Sequence, residues 1–247
     1  MVPIVLLRGL LRESGHWHYF IKAIKQRYPD IKILTPNVPG NGDLNQLKSP
    51  TSIDAMMRAV QTQIPEHYDS FHLVSISMGS MIASHWAHQR PDLVKSLTMI
   101  NPSFSRYSSI QQRINLAALA QLFCAKQKSP LLFEQEVIKW TCPNSLNDNE
   151  KIEYYAELAR QHPVTTMNTL RQLLAAAKFK GETHAPECPT QVVVSEQDKL
   201  VNSISGKKIA DAWNIELSCF NSNAHDLPLA EPHELAEKLL NWMYKSN

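Results

Sequence analysis

The sequence predicts an α/β fold, a mostly parallel sheet of about six strands with helices on both faces. Three observations carry this expectation. Short β-branched runs alternate with helix-period segments through the first hundred residues. The alternation stops at Pro102 and resumes near residue 190. The composition, 43% apolar and 19% charged, suits a large buried core, and 247 residues suit one domain of generous size or two small ones.

The elements follow in order. Pro3–Leu7 is a short strand, and Arg8–Gly15 is a loop. His16–Tyr28 places apolar residues at 17, 20, 21 and 24, one helical face. Ile31–Thr35 is a strand closed by the turn chemistry of Asn37-Val38-Pro39-Gly40-Asn41-Gly42. Ser52 opens a helix running to about Ile64, with Ile53, Met56, Met57 and Val60 on one side. Phe71–Ile76 is a strand, Gly79–Gln89 a helix and Ser96–Ile100 a strand. Residues 103–180 show only helical stretches, near 110–126, 131–141, 149–162 and 164–178. The alternation then returns: strand Gln191–Ser195, helix Ser205–Trp213, strand Ile215–Phe220 and helix Pro232–Tyr244. The last helix carries Leu235, Leu239, Leu240, Trp242 and Met243 as its buried stripe. An all-helical insert of about eighty residues between two sheet strands is too long for a loop. It is expected to cover the carboxyl edge of the sheet, where ligands bind. The expected division is a core of residues 1–102 and 181–247 with a helical cap at 103–180.

Composition excludes several classes. A net charge of +2 gives no reason to expect a nucleic-acid partner. No apolar run approaches the ~18–20 residues of a membrane helix, and the first one is cut at Arg8, too early for a secretory leader. Cys124, Cys142, Cys188 and Cys219 match neither a zinc site nor a disulfide framework, so a reduced cytoplasmic setting is the default expectation.

The chemistry begins at Ser75-Ile76-Ser77-Met78-Gly79, where a strand runs directly into a helix. A serine on so sharp a turn takes strained backbone angles, and the residues two positions away must be small. Its hydroxyl then stands clear of the sheet at a helix N-terminus, which favours developing negative charge. A serine needs a base, and the base needs an acid to orient it. Asp198 follows strand Gln191–Ser195, with Glu196 as a rival acid, and His225 follows strand Ile215–Phe220. Both lie at the same sheet end as Ser77. His16, His18, His67, His72, His85, His88, His162 and His184 read as surface or partly buried polar residues, and His233 as exposed. Two backbone N–H groups are needed for an oxyanion, and the expected donors are the amides of Met78 and Leu10, the latter beside Arg8-Gly9.

Together these segments resemble the α/β-hydrolase superfamily, in its lidded branch of small serine esterases. The resemblance rests on Arg8-Gly9 where that family usually has His-Gly, and on Asn37-Val38-Pro39-Gly40-Asn41-Gly42 where it has Asp-x-Pro-Gly-x-Gly. It rests also on Ser75–Gly79, on Ser195-Glu196-Gln197-Asp198-Lys199-Leu200-Val201 and on Ala224-His225-Asp226-Leu227-Pro228. It implies Ser77, Asp198 and His225 as a triad, residues 103–180 as a cap after the family's sixth strand, and a chain that starts at the family's third strand. Arg8, Asn37 and Ser75 depart from the pattern but leave the triad positions intact.

The implied reaction is hydrolysis of a small carboxylic ester or thioester through an acyl-enzyme on Ser77, with no metal or organic cofactor required. Two rivals stay open: a lyase or cofactor-free oxygenase on the same triad, and a non-catalytic receptor of the same fold. Phe123, Leu131, Leu132, Phe133, Trp140, Leu170 and Leu174 are candidates for an apolar acyl pocket, or, more commonly for such residues, for the cap's own core. Residues 103–180 hold ten basic and six acidic side chains, a net of +4, against −2 for the remainder. That excess is able to steer an anionic substrate or an acidic acyl-carrying partner, unless the charges cancel locally around solvated helices.

Overall fold

A computed structural model describes residues 2–245. The sheet has six strands, all parallel, in the order β2-β1-β3-β4-β5-β6. The strands are β1 Ile4–Leu7, β2 Ile33–Leu34, β3 Phe71–Ile76, β4 Val94–Ile100, β5 Thr190–Ser195 and β6 Glu216–Phe220. Parallel strands covered on both faces bury every side chain, and β1, β3 and β5 do so.

The period of two divides the core. Val5, Leu7, Leu73, Leu97, Met99, Val192 and Val194 point to one face. There they meet α2 (Ile53–Gln61), α3 (Met78–Gln89) and α9 (Ile204–Trp213), with Trp86 fully buried at the centre. Ile4, Leu6, Val74, Ile76, Ile100 and Val193 point to the other face. There they meet α1 (His18–Arg27) and α11 (Pro232–Lys245).

Between β4 and β5 the chain forms helices α4 (Ile110–Arg113), α5 (Leu116–Lys126), α6 (Pro130–Thr141), α7 (Asn149–Gln161) and α8 (Thr166–Lys178). The side chains of Ser129, Asp148 and Thr165 cap the N-termini of α6, α7 and α8. The insertion sits over the carboxyl ends of β1 and β3. These lie on either side of the sheet's switch in strand direction of growth, where a crevice opens.

Several expectations need correction. The helix expected over 110–126 is broken: Ile114 is extended, and the Asn115 side chain accepts the amides of Ala117 and Ala118 to start α5 anew. The second strand shrinks to Ile33–Leu34, because an edge position has only β1 to pair with. A short helix, α10 (Leu227–Ala230), follows His225 and was not foreseen. Trp242 is only partly buried and donates its indole N–H to Glu216. His16 and His72 are buried, 4% exposed each, deeper than the surface or partly buried placement expected for them. His72 bonds Ser96 on the neighbouring strand, and His16 packs on the Tyr155 ring.

Candidate active site

Ser77 follows β3 directly, with φ 56° and ψ −122°, a positive-φ conformation that non-glycine residues avoid. Its N–H donates to Ile100 O at 3.0 Å, and its own carbonyl accepts from Ser80. Two glycines make the turn possible. A Cβ on Gly79 would run into the carbonyls of Leu7 and Arg8, because α3 starts hard against the end of β1. A Cβ on Gly9 would lie 3.1 Å from Ser77 Cβ and 3.6 Å from its Oγ. Ser75, the departure two residues earlier, is fully buried and donates its hydroxyl to Thr98 O at 3.0 Å, so its polar atom is satisfied inside the sheet.

The structure brings His225 and Asp198 together. His225 Nδ1 lies 2.6 Å from Asp198 Oδ2, and the Asp198 side chain is fully buried. The other carboxylate oxygen of Asp198 accepts the N–H groups of Leu200 and Val201, which fixes its rotamer. Glu196 is placed elsewhere: its carboxylate is 46% exposed and faces Lys207 at 3.7 Å. Asn101, at the end of β4 with φ 46°, escaped the sequence reading. It donates to His225 O at 2.8 Å and accepts from Ser195 N at 2.8 Å, holding the His225 loop to β5. The one available signal was a polar residue between an apolar strand and Pro102.

Ser77, His225, Leu10 and Met78 line one cavity of about 340 Å³. The Met78 amide is at the first position of α3, where no carbonyl of the helix can reach it. Next to Leu10, Leu11 takes φ 61°, and its N–H donates to Gln172 Oε1 of α8 at 3.1 Å. Gln172 in turn donates to Asn41 Oδ1 and to Ser49 Oγ, and Asn41 donates to Arg12 O. The turn chemistry at 37–42 thus supports the loop that follows β1.

Arg8 is one of the three departures from the family pattern, and its partner was not legible in the sequence. Its guanidinium makes a two-pronged bond to the Asp226 carboxylate, with Nη1 3.0 Å from Oδ1, and lies 4.8 Å from the Trp17 ring. Both side chains are 5% exposed. Arg12 Nη1 donates to both oxygens of Glu134 on α6 at 2.8 Å. Asp226 N also donates to Thr141 O at the end of α6. Two ion pairs therefore tie the loop after β1 to the His225 loop and to the insertion. Burial and the positive charge of Arg12 and Arg8 drive the His16 pKa well below 6.5, so His16 is a neutral neighbour of this cluster. Burial pushes the Cys142 thiol up to about 11.

Of the apolar residues expected to line a pocket or a cap core, only Phe133 lines this cavity. Phe123, Leu132, Leu170 and Leu174 are each more than 40% exposed, and Leu131 packs near Ile138 and Tyr155. The apolar wall comes instead from residues such as Leu119, Leu122, Val137 and Leu173. Several cations of the insertion have local partners, which leave its net charge of +4 unchanged. Lys139, Lys151 and Arg160 pair with carboxylates on their own helices. Lys126, Arg106 and Arg171 donate to backbone carbonyls. Among the described residues no cluster of His, Cys, Asp and Glu has metal-ligand geometry, and no helix is long and apolar enough to cross a membrane.

Comparison with known proteins follows the same line. The chain is 20% identical to a human monoacylglycerol lipase over 97% of its length and 74% of the lipase. It is 24% identical to a pimeloyl-[acyl-carrier protein] methyl ester esterase of Pseudoalteromonas atlantica, over 80% of this chain and 76% of that one. Its fold matches an esterase from Thermogutta terrifontis with a TM-score of 0.77 at 18% identity, covering 100% of this chain and 90% of that one. It matches an enol-lactonase from Burkholderia xenovorans with a TM-score of 0.78 at 12% identity, covering 99% and 92%. The model of the alpha/beta hydrolase fold matches residues 2–227, and the chain belongs to that family.

Proposed function

We propose that the protein is a serine hydrolase of carboxylic esters or thioesters, working through an acyl-enzyme on Ser77 beneath a cap formed by residues 103–180. The observation that carries this reading is the 2.6 Å contact of His225 Nδ1 with a buried Asp198, on a loop that shares one cavity with the strained Ser77. Ser77 Oγ attacks the carbonyl carbon as His225 Nε2 takes its proton. Asp198 holds the imidazole with Nδ1 protonated and stabilises the imidazolium. The amides of Leu10 and Met78 receive the developing oxyanion. Collapse of the tetrahedral species passes the proton from His225 to the leaving alcohol or thiol. Water, deprotonated by the same imidazole, then releases the acid and frees Ser77. The mostly apolar wall suits an acyl or alcohol portion of hydrocarbon character. Names among the relatives, a monoacylglycerol lipase and a methyl ester esterase, support ester substrates.

The test is turnover of short nitrophenyl esters. Ser77→Ala is expected to abolish it while the fold persists, and a fluorophosphonate is expected to label Ser77 alone. Asp198→Asn is expected to lower kcat by about 10⁴-fold, and Glu196→Gln to leave it nearly unchanged. Trapping an acyl group on Ser77 with a slow ester separates this mechanism from a lyase on the same residues. Full activity in Ser77→Ala refutes it.

A further inference from the structure

We propose that Arg113 is a recognition site for a carboxylate on the substrate, so that the ester cleaved at Ser77 carries an acid group at its far end. This inference rests on the esterase reading for its chemistry but not for its test.

Three arginines line the cavity. Arg8 is neutralised by Asp226 and Arg12 by Glu134. Arg113, the last residue of α4, has no carboxylate partner among the described residues, although it is only 9% exposed. Its Nη2 donates to Ala176 O at 2.8 Å, and its Nε is buried with no hydrogen-bond partner. Burial lowers its pKa with no opposing charge to raise it, whereas Arg8, more deeply buried, is raised by its carboxylate. Its neighbours on the wall, Ile110 and Ile114 beside it and Ala177 of α8, are apolar.

A guanidinium stays charged at any working pH and presents five donors in a planar fork. Buried charges are ordinarily paired, because removing them from water is costly. The carbonyl of Ala176, in the last turn of α8, offers only the partial negative charge of a helix end. A substrate carboxylate supplies the missing anion with matching two-pronged geometry. Chains with a neutral end leave the guanidinium unpaired, so the same feature discriminates against them. The competing explanation is that Arg113 serves only to cap α8.

Binding to the Ser77→Ala protein decides between them without turnover. The probes are monomethyl esters of linear dicarboxylic acids of graded length and the corresponding dimethyl esters, measured by calorimetry. One length of monoester is expected to bind tighter than its diester. Adding Arg113→Met is expected to weaken the monoester by about ten- to a hundredfold and to leave the diester unchanged, with Arg113→Lys between the two. Equal affinity for the two esters, no measurable binding of the monoester, or an equal loss of both in Arg113→Met overturns the proposal. The first two outcomes are read on unaltered Arg113, so they hold even where Arg113→Met fails to fold. Failure of the esterase reading looks different: the monoester binds through Arg113, yet the protein with Ser77 intact hydrolyses neither ester.

Discussion

Arg8→Met removes the cation from a carboxylate that has lost nearly all contact with water. The pair is 5% exposed on both sides and joined by two nitrogen–oxygen contacts. Asp226 is left buried, with the like charge of Glu134 acting on the same cluster. Breaking one side of such a pair costs about 3–5 kcal/mol, of a total stability of roughly 5–15 kcal/mol. At about 2–4 °C per kcal/mol for a domain of this size, the melting temperature is expected to fall by roughly 6–20 °C. Arg8→Met combined with Asp226→Leu removes both charges and is expected to recover most of the loss, since an apolar pair of similar volume is often as stable as the ion pair. The assay is urea unfolding followed by tryptophan fluorescence for the single variants and the double, closed as a cycle. Activity is read in parallel, because the pair joins the loop carrying Leu10 to the loop carrying His225. An Arg8→Met protein within 1 kcal/mol of the parent refutes the reasoning, as does a double variant whose loss equals the sum of the singles.

Two further outcomes follow from the site. Gly79→Ala drives a methyl group into the carbonyls of Leu7 and Arg8, which are backbone and have no room to yield. Loss of soluble protein, or of several degrees in melting temperature together with Ser77 labelling, is expected, and a fully active Gly79→Ala protein contradicts the turn geometry. His16 is held neutral well below its ordinary pKa of 6.5. Above pH 6.5 both folded and unfolded chains carry the neutral ring. Below it the unfolded chain binds a proton that the folded one refuses, so this residue's contribution to stability is lost at up to about 1.4 kcal/mol per pH unit. His16→Gln is therefore expected to narrow the drop in melting temperature between pH 7 and pH 5. An unchanged drop excludes His16, whereas His72, also lowered by burial, keeps its share in the variant.

What the sequence determined by itself was local. Strand periodicity at Phe71–Ile76, the helix stripe at Ile53, Met56, Met57 and Val60, and the small residues around Ser77 depend on neighbours a few positions apart. Each is expressed in the structure as its pattern requires. The chain order Ser77, Asp198, His225, proposed here as nucleophile, acid and base, rests on the same local signal, because each residue follows a strand that announces itself. Tertiary structure decided what depends on distance through space. Arg8 and Asp226 are 218 residues apart, so no window along the chain relates them. Asp198 faces His225 and Glu196 faces solvent, a choice made by the direction of a loop that accepts two of its own amides at Asp198. Arg113 ends α4 because Asn115 starts a new helix, and only the fold brings its guanidinium to Ala176 O of α8 beside the cavity, with no carboxylate partner among the described residues. Side chains such as Phe123 and Leu170 carry the same hydropathy as Leu122 and Leu173. Which of them reach the cavity is set by helix rotation, a property of the packed insertion and not of residue type.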